Sequence, residues 1–191
     1  MGGPMKMLCG VVALAALGCG ADPPRTITAD DVAPIPPGTA IGTLFSGEYV
    51  VTSQQVDDCR CRRGSCATLV VHIGDILTVV QTDGALQISY ASTQDTVSGG
   101  IDADGTFRCA GSQNGVDAVS NGLVHGQFHA ANAVPTRASY VTELTLTTPL
   151  VDCDLRGSST AQFTAPTAAL AAAGGRRSDG QMAGFFGVVD R

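Results

Sequence analysis

The chain has 191 residues, 44% of them hydrophobic and 15% charged, which suits one globular domain with a core better than two. Its formal net charge is -6 and Lys6 is its single lysine, so it has no basic stripe for a phosphate backbone and nucleic acid is not expected as a partner. The lack of tryptophan and the 5% aromatic content also disfavour a pocket that stacks against sugars.

The first 18 residues have the layout of a signal peptide. A short leader with one lysine precedes the apolar run "MLCGVVALAALG" at residues 7–18. A membrane-spanning helix needs about 20 apolar residues, so this run favours a processed signal over a permanent anchor.

The run ends in "ALGCG", residues 16–20, which resembles the lipobox of bacterial lipoproteins. In that family a small residue precedes a cysteine that is lipidated and becomes the mature N-terminus. The resemblance implies lipidation of Cys19 after Gly18, and therefore attachment to the membrane through an N-terminal lipid anchor. The residue after the lipidated cysteine is Gly20 and not aspartate, which by the same resemblance favours the outer membrane over the inner, with the domain periplasmic or surface-exposed. The alternative is ordinary secretion with cleavage at the A-x-A site of Ala13 and Ala15, which also exports the protein.

Residues 19–40 are predicted to form a proline-rich tether. The segment "GADPPRTITADDVAPIPPGTA" shows no apolar periodicity. Without such a pattern it has no face to bury, so we expect it to be extended and mobile, as a spacer between the membrane and a domain.

Residues 41–165 are predicted to form a β domain, because apolar and polar residues alternate with a period of two in "GALQISY" and "SYVTELTLT". Asp83-Gly84 and Asp104-Gly105 stand between such runs, and Asp-Gly supplies the positive φ angles that a tight hairpin needs. Strands are expected near 44–54, 67–73, 75–82, 85–91, 96–103, 105–110, 122–130, 137–148 and 158–165. The predicted fold class is all-β, an antiparallel meander of about eight or nine strands that forms a small barrel or a sandwich.

A weak repeat supports this fold: "GEY" at 47, "GTF" at 105 and "GQF" at 126 each place a glycine two residues before an aromatic one. Glycine in a strand marks a bend or a close backbone approach, and the aromatic residue lies on the same face. In size and rhythm the region resembles the calycins, the lipocalins and avidins, whose first strand carries a Gly-x-Trp. The resemblance implies a barrel and carries over no binding residue.

The stretch "CRCRRGSC", residues 59–66, is predicted to be a solvated loop that disulfides tie to the sheet. The candidates for disulfide bonds in the domain are Cys59, Cys61, Cys66, Cys109 and Cys153. Exported cysteines meet an oxidising compartment, so at least one of the first three is expected to pair with Cys109 or Cys153. Two alternatives stay open. One is a zinc site completed by Cys109, Cys153 or His72; the other is a redox-active thiol with its pKa lowered by Arg60, Arg62 and Arg63.

The rest of the sequence shows no pattern of a catalytic residue, a metal site or a cofactor site, so none is predicted. His125 and His129 would stand about 13 Å apart on a strand and could not share an ion. The turn "DADG" at 102–105 lacks the further acidic positions of a calcium loop, and no nucleophile elbow, P-loop or dinucleotide fingerprint occurs.

The tail of residues 166–191 is rich in alanine and glycine and is expected to be loosely held, with a short helix near 167–173. Two functional classes remain. The first is a non-enzymatic envelope lipoprotein that contacts an envelope protein or holds a small apolar ligand. The second is an envelope enzyme whose site, based on a thiol, is assembled only in space.

Overall fold

The computed structural model describes residues 24–66, 73–115 and 117–166, and these form an all-β fold. The strands are β1 (Gly47–Arg63), β2 (Ile76–Thr82), β3 (Ala85–Tyr90), β4 (Thr96–Ile101), β5 (Thr106–Asn114), β6 (Val119–Ala131), β7 (Val134–Thr147) and β8 (Asp152–Ala165). Each strand pairs antiparallel with the next, and β8 pairs with β1, so the meander closes into a barrel. Within the described ranges no helix has the length and apolar character needed to cross a membrane.

The predicted signal peptide 1–18, Cys19, most of the strand predicted at 67–73 and the helix predicted near 167–173 lie outside the described residues. The all-β class and the antiparallel meander are confirmed, and the barrel is the correct one of the two predicted architectures. The boundary that differs most is the end of β1, at Arg63 rather than at 54, and β8 begins at Asp152 rather than at 158.

The prediction that residues 59–66 form a loop is wrong for residues 59–63, which are the end of β1. Here β1 pairs with β8, from Glu48 opposite Ala165 at one end to Arg63 opposite Asp152 at the other. Charged side chains suggested a solvated loop, but a strand at the surface of a barrel can direct them outward on every second residue. The pairing partner lies some 90 residues further along the chain, and no local pattern reveals it.

The three Gly-x-aromatic repeats meet inside the barrel. Their aromatic members are Tyr49, Phe107 and Phe128, all buried. The ring centroid of Phe128 lies 4.7 Å from that of Phe107 and 5.2 Å from that of Tyr49. At Gly105 the φ angle is 86°, and a Cβ would overlap the Phe128 carbonyl oxygen, so this glycine permits a close approach between β6 and the β4–β5 turn. The close backbone approach predicted at glycine therefore helps to bring the aromatic rings together in the core.

The chain before β1 closes one end of the barrel. Phe45 is buried and stacks on Phe128 with ring centroids 5.5 Å apart. The Phe45 amide donates to Gln81 Oε1 (2.9 Å), and the Tyr49 hydroxyl donates to the Phe45 carbonyl (3.0 Å). Gly84, in the β2–β3 turn, accepts a hydrogen bond from the Gly38 amide (2.8 Å). Residues 38–46 are thus joined to this end of the barrel by both packing and backbone hydrogen bonds.

The predicted mobile tether is also packed for the part that the structure describes, residues 24–40. Ile27 is only 1% exposed and lies against Ala110 and Leu123 on the outer face of the barrel. Its amide donates to Thr145 Oγ1 (2.6 Å), and its carbonyl accepts from Asn121 Nδ2 (3.2 Å). A single isoleucine has no periodicity to reveal it, and the site that buries it consists of residues distant in sequence.

The hairpin turns show the expected backbone. Asp83 and Gly105 have φ angles of 50° and 86°, so one residue of each Asp-Gly pair has the positive φ that was predicted. The turn between β6 and β7 also has positive φ, 53° at Asn132 and 60° at Ala133. An alanine is unusual in that conformation, so Ala133 is not a residue from which this turn would be predicted.

Candidate functional site

The cysteine-rich end of β1 has two chemically different faces. Cys59 and Cys61 are half-buried and pack against the core, whereas Arg60 and Arg62 between and after them are exposed. A strand turns successive side chains to opposite sides, so the sulfurs face inward and these two arginines face outward.

Four of the five cysteines of the domain lie at disulfide distance in two pairs. Cys59 pairs with Cys66 across a sequence separation of 7, and their Cα atoms are 6.1 Å apart. Cys61 pairs with Cys153 across a separation of 92, with Cα atoms 4.0 Å apart. Cys61 and Cys153 are direct register partners, so this disulfide joins β1 to β8 where the first and last strands close the barrel.

The two disulfides touch each other. Cys61 Sγ lies 3.4 Å from Cys66 Sγ and 3.9 Å from Cys59 Sγ. Cys153 is 1% exposed, and its sulfur lies 3.7 Å from the Arg63 carbonyl oxygen. Four sulfurs therefore form one cluster in which the partly exposed Cys59, Cys61 and Cys66 cover the buried fourth.

This cluster is also the place where a soft metal ion would find ligands, because one sulfur from each of Cys59, Cys61 and Cys66 lies within 4.8 Å of the others. Zinc binds thiolates, and a sulfur in a disulfide carries no thiolate charge. In the oxidised state, with the pairing described above, the cluster consists of two disulfides. Both disulfides would have to be reduced before the sulfurs could bind a metal ion.

Arg62 contacts carboxylates and not sulfurs. Its guanidinium donates to Asp152 Oδ1 (2.7 Å) and to Asp154 Oδ2 (2.7 Å), and the pKa of Arg62 is raised by these hydrogen bonds. Burial would raise the pKa of Asp154, but hydrogen bonds from Arg62, Thr145 and Thr26 outweigh it and lower the pKa. The hypothesis that Arg62 activates a neighbouring thiol therefore lacks the required contact, since its charge is balanced on the outer face.

Arg63 has a structural contact as well. Its Nη1 donates to the Pro149 carbonyl (2.8 Å) in the turn between β7 and β8. This turn lies at the same end of the barrel as the sulfur cluster. Arg62 thus ties the end of β1 to β8 and Arg63 ties it to the β7–β8 turn, while Cys61 is bonded to β8 from inside.

The fifth cysteine, Cys109, lies apart from the cluster. It is a free thiol in β5, with no measurable exposure, and burial raises its pKa to about 12. Among the described residues, no histidine or carboxylate forms a hydrogen bond with it. A thiol with such a pKa is protonated at neutral pH and is not an activated nucleophile.

The interior of the barrel is filled by side chains. A gap among the core residues is lined by Leu77, Ile88, Tyr90, Phe107, Val124, Phe128, Ala138 and Tyr140. That gap leaves no room for a water molecule. The core at this position therefore has no space for a ligand.

Two of the open grooves on the surface are lined entirely by described residues. One, of about 470 Å³, crosses β1, β6, β7 and β8 and is lined mainly by small polar residues with His125 at its edge. The other, of about 530 Å³, lies at the end closed by residues 38–46 and is lined in part by Leu44, Val80 and Phe163. Leu44 and Val80 are 39% and 41% exposed. These grooves have the openness of contact surfaces rather than the enclosure of a small-molecule site.

His125 and His129 lie far apart along β6, and the carboxylates of the acidic turn accept hydrogen bonds from nearby residues. His125 and His129 both lie in β6, where four residues of strand span about 13 Å. Burial lowers the pKa of His125. In the turn, Asp102 accepts hydrogen bonds from the amide and hydroxyl of Thr39, and Asp104 accepts one from the Thr106 amide. Asp104 thus stabilises the turn itself, and Asp102 binds the segment that closes the end of the barrel.

One buried acid was missed by the sequence analysis. Asp95, in the turn between β3 and β4, is 0% exposed, and neither carboxylate oxygen has a hydrogen-bond partner. Burial raises its pKa to about 6. In sequence Asp95 stands in "STQDT", which is typical of an exposed turn, so its burial depends on the surrounding barrel.

Comparisons of this chain with protein-family models, with curated proteins and with solved structures found no match.

Proposed function

We propose that this protein is an exported lipoprotein of the bacterial cell envelope, anchored through Cys19, whose barrel acts as a non-enzymatic interaction module. Its membrane contact is the N-terminal lipid, and its partner is another envelope protein that contacts the outer surface of the barrel. Gly20 after the lipidated cysteine favours the outer membrane over the inner one.

The cysteine pairing supports the compartment. Cys59, Cys61, Cys66 and Cys153 are at disulfide distance, and the remaining Cys109 is buried. Structural disulfides persist in oxidising compartments and are rare in a reducing cytosol. The sequence-based prediction of export and the arrangement of the sulfurs therefore agree.

The filled interior of the barrel is the observation that favours an interaction module over a carrier of a small apolar ligand. A barrel that stores a small apolar ligand needs an enclosed volume of about 300 Å³ or more. The gap among Leu77, Tyr90, Phe107 and their neighbours admits no water molecule. Contacts through the outer surface are therefore better supported than ligand storage inside the barrel.

The anchor is tested on protein recovered from the envelope of a bacterial host. We expect the mature N-terminus to be Cys19 carrying a diacylglyceryl group, and Cys19→Ala to abolish the lipid and release the protein from the membrane fraction. Cys9→Ala, within the predicted signal peptide, is the matched control and should leave both unchanged. An unmodified N-terminus at any other residue would refute the lipid anchor.

The interaction role is tested separately. Native mass spectrometry of the same material should give the mass of the acylated chain without a bound small molecule, and crosslinking in intact cells should join the barrel to one envelope protein. A stoichiometric apolar ligand that survives purification would refute the interaction module in favour of a carrier.

A further inference from the structure

We propose that the four sulfurs of Cys59, Cys61, Cys66 and Cys153 form a single thiol–disulfide exchange site for small external thiols. In this site Cys66 moves between Cys59 and Cys61, and its movement opens the disulfide that closes the barrel. The proposal is independent of the lipid anchor and of the binding partner.

Accessibility separates the two disulfides. Both members of the Cys59–Cys66 pair are partly exposed, whereas in the second pair Cys61 is partly exposed but Cys153 is only 1% exposed, so the first bond offers two sulfurs to an external thiolate and the second offers one. An attacking thiolate must reach a sulfur along the bond that it breaks, so access decides which disulfide reacts first. The Cys59–Cys66 bond is the entry point of the site.

Distance couples the two bonds. Cys66 Sγ lies 3.4 Å from Cys61 Sγ although it is bonded to Cys59. Reacting atoms held about 3 to 3.5 Å apart are near the distance at which attack begins. Once released from Cys59, the Cys66 thiolate would already be in contact with its next partner.

The backbone allows Cys66 to change partner. β1 ends at Arg63, so Cys66 lies beyond the last residue that pairs with β8. Gly64, between them, has a φ angle of 83°, a conformation that glycine adopts without strain. Cys59 and Cys61 are fixed within β1, and Cys66 is therefore the member that moves.

The exchange is balanced in two steps. A thiolate RS⁻ attacks Cys59 Sγ, so that an RS–Cys59 bond forms, the Cys59–Cys66 bond breaks and Cys66 leaves as a thiolate. The Cys66 thiolate then attacks Cys61 Sγ, so that a Cys61–Cys66 bond forms, the Cys61–Cys153 bond breaks and Cys153 leaves as a thiolate. Cys153 takes up the proton that RSH gave up, and its sulfur lies 3.7 Å from the Arg63 carbonyl, which can accept a hydrogen bond from the new thiol.

The result is a change in the barrel. Before exchange, a covalent bond joins β1 to β8; afterwards Cys61 and Cys66 are bonded to each other within one segment and the closing strands are held only by noncovalent pairing. An external thiol thereby opens the covalent closure of the barrel without direct access to Cys153.

The test is limited reduction of the full chain, purified with its disulfides intact, by reduced glutathione, followed by alkylation and peptide mapping without further reduction. We expect the first trapped species to carry glutathione on Cys59, a Cys61–Cys66 disulfide and an alkylated Cys153. In the double variant Cys59→Ser/Cys66→Ser we expect opening of the Cys61–Cys153 disulfide to slow at least tenfold. Serine is no larger than cysteine, so the substitutions do not make that disulfide less accessible to glutathione. Cys109→Ala should leave the pattern and the rate unchanged.

Three results would overturn the proposal. The first is an unchanged or faster rate of Cys61–Cys153 opening in the double variant, which would mean that glutathione attacks that bond directly. The second is glutathione on Cys59 or Cys66 while Cys61–Cys153 stays intact. The third is purified chain with these four cysteines reduced around a stoichiometric metal ion. Circular dichroism of the double variant verifies that its strands are retained, so that a slow rate is not a consequence of misfolding.

Discussion

Replacing Asp95 by asparagine should change how the stability of the barrel depends on pH. The folded-state pKa of this buried carboxyl is about 6, against an ordinary value of 3.8, because burial disfavours its charged form. The folded state therefore binds this proton more tightly than the unfolded state does. The destabilisation caused by burying this carboxyl is therefore absent below about pH 4, grows as the pH rises to about 6, and stays constant above that value.

The size of the penalty follows from the same pKa values. A difference of about two pH units at roughly 1.4 kcal/mol each corresponds to about 3 kcal/mol of the free energy of unfolding. Neither oxygen has a hydrogen bond of good geometry, and the nearby Thr93 side chain offsets the effect of burial on the pKa only in part. Asparagine keeps the shape of the side chain and removes the charge. Its own burial penalty does not change with pH, so it cancels when one pH is compared with another.

The assay is urea unfolding of both proteins between pH 4 and pH 8, from which the difference in stability, variant minus wild type, is plotted against pH. We expect that difference to rise by up to about 3 kcal/mol between pH 4 and pH 7 in favour of Asp95→Asn. Asp104→Asn is the control. The Thr106 backbone amide lowers the pKa of Asp104, so its contribution is present above about pH 4 and lost below it. A difference for Asp95→Asn that stays flat from pH 4 to pH 7 would refute the argument from burial.

Three further substitutions test the packing. Ala133→Gly should raise the unfolding free energy by about 1 kcal/mol, because glycine adopts the positive φ of this turn without strain; an unchanged urea midpoint would contradict this. Gly84→Ala should lower the unfolding free energy by about 2 kcal/mol, since a Cβ there would overlap the Gly38 backbone. A stability equal to that of the wild type would show that residues 38–46 do not pack against this turn as described. Arg62→Met should lower the unfolding free energy by leaving the buried Asp154 without its cation. This loss should largely vanish in an Asp154→Asn background, as a double-mutant cycle can measure.

Several features of the fold were accessible from local sequence patterns. The alternation in "GALQISY" and "SYVTELTLT" predicted β3 and β7, and Asp83 and Gly105 supplied the turn conformations that were expected of them. The glycine-aromatic repeat predicted residues that share a face, and the structure brings the three aromatic rings together in the core. Each of these patterns depends on neighbours within a few residues along the chain.

The candidate site was less predictable. The cysteines were identified as disulfide candidates, but their pairing was not fixed by their spacing, since four cysteines alone allow three connectivities. The stretch "CRCRR" was assigned to a loop because its charges suggested solvent, and its true partner strand begins at Asp152. Ile27 and Asp95 were missed because neither belongs to a periodic pattern, and each is buried by residues from other strands.

By itself the sequence determined the period of the strands, the positions of two turns, the number of cysteines and an N-terminus that resembles a lipoprotein signal. Only the tertiary structure decided that β8 closes on β1, that Cys61 and not Cys109 is the partner of Cys153, and that residues 24–40 lie on the barrel. The physical reason is the range of the interactions involved. Strand period and turn geometry arise from steric preferences of adjacent residues, whereas closure, sulfur pairing and the burial of an isolated side chain depend on surfaces that exist only after the whole barrel has formed.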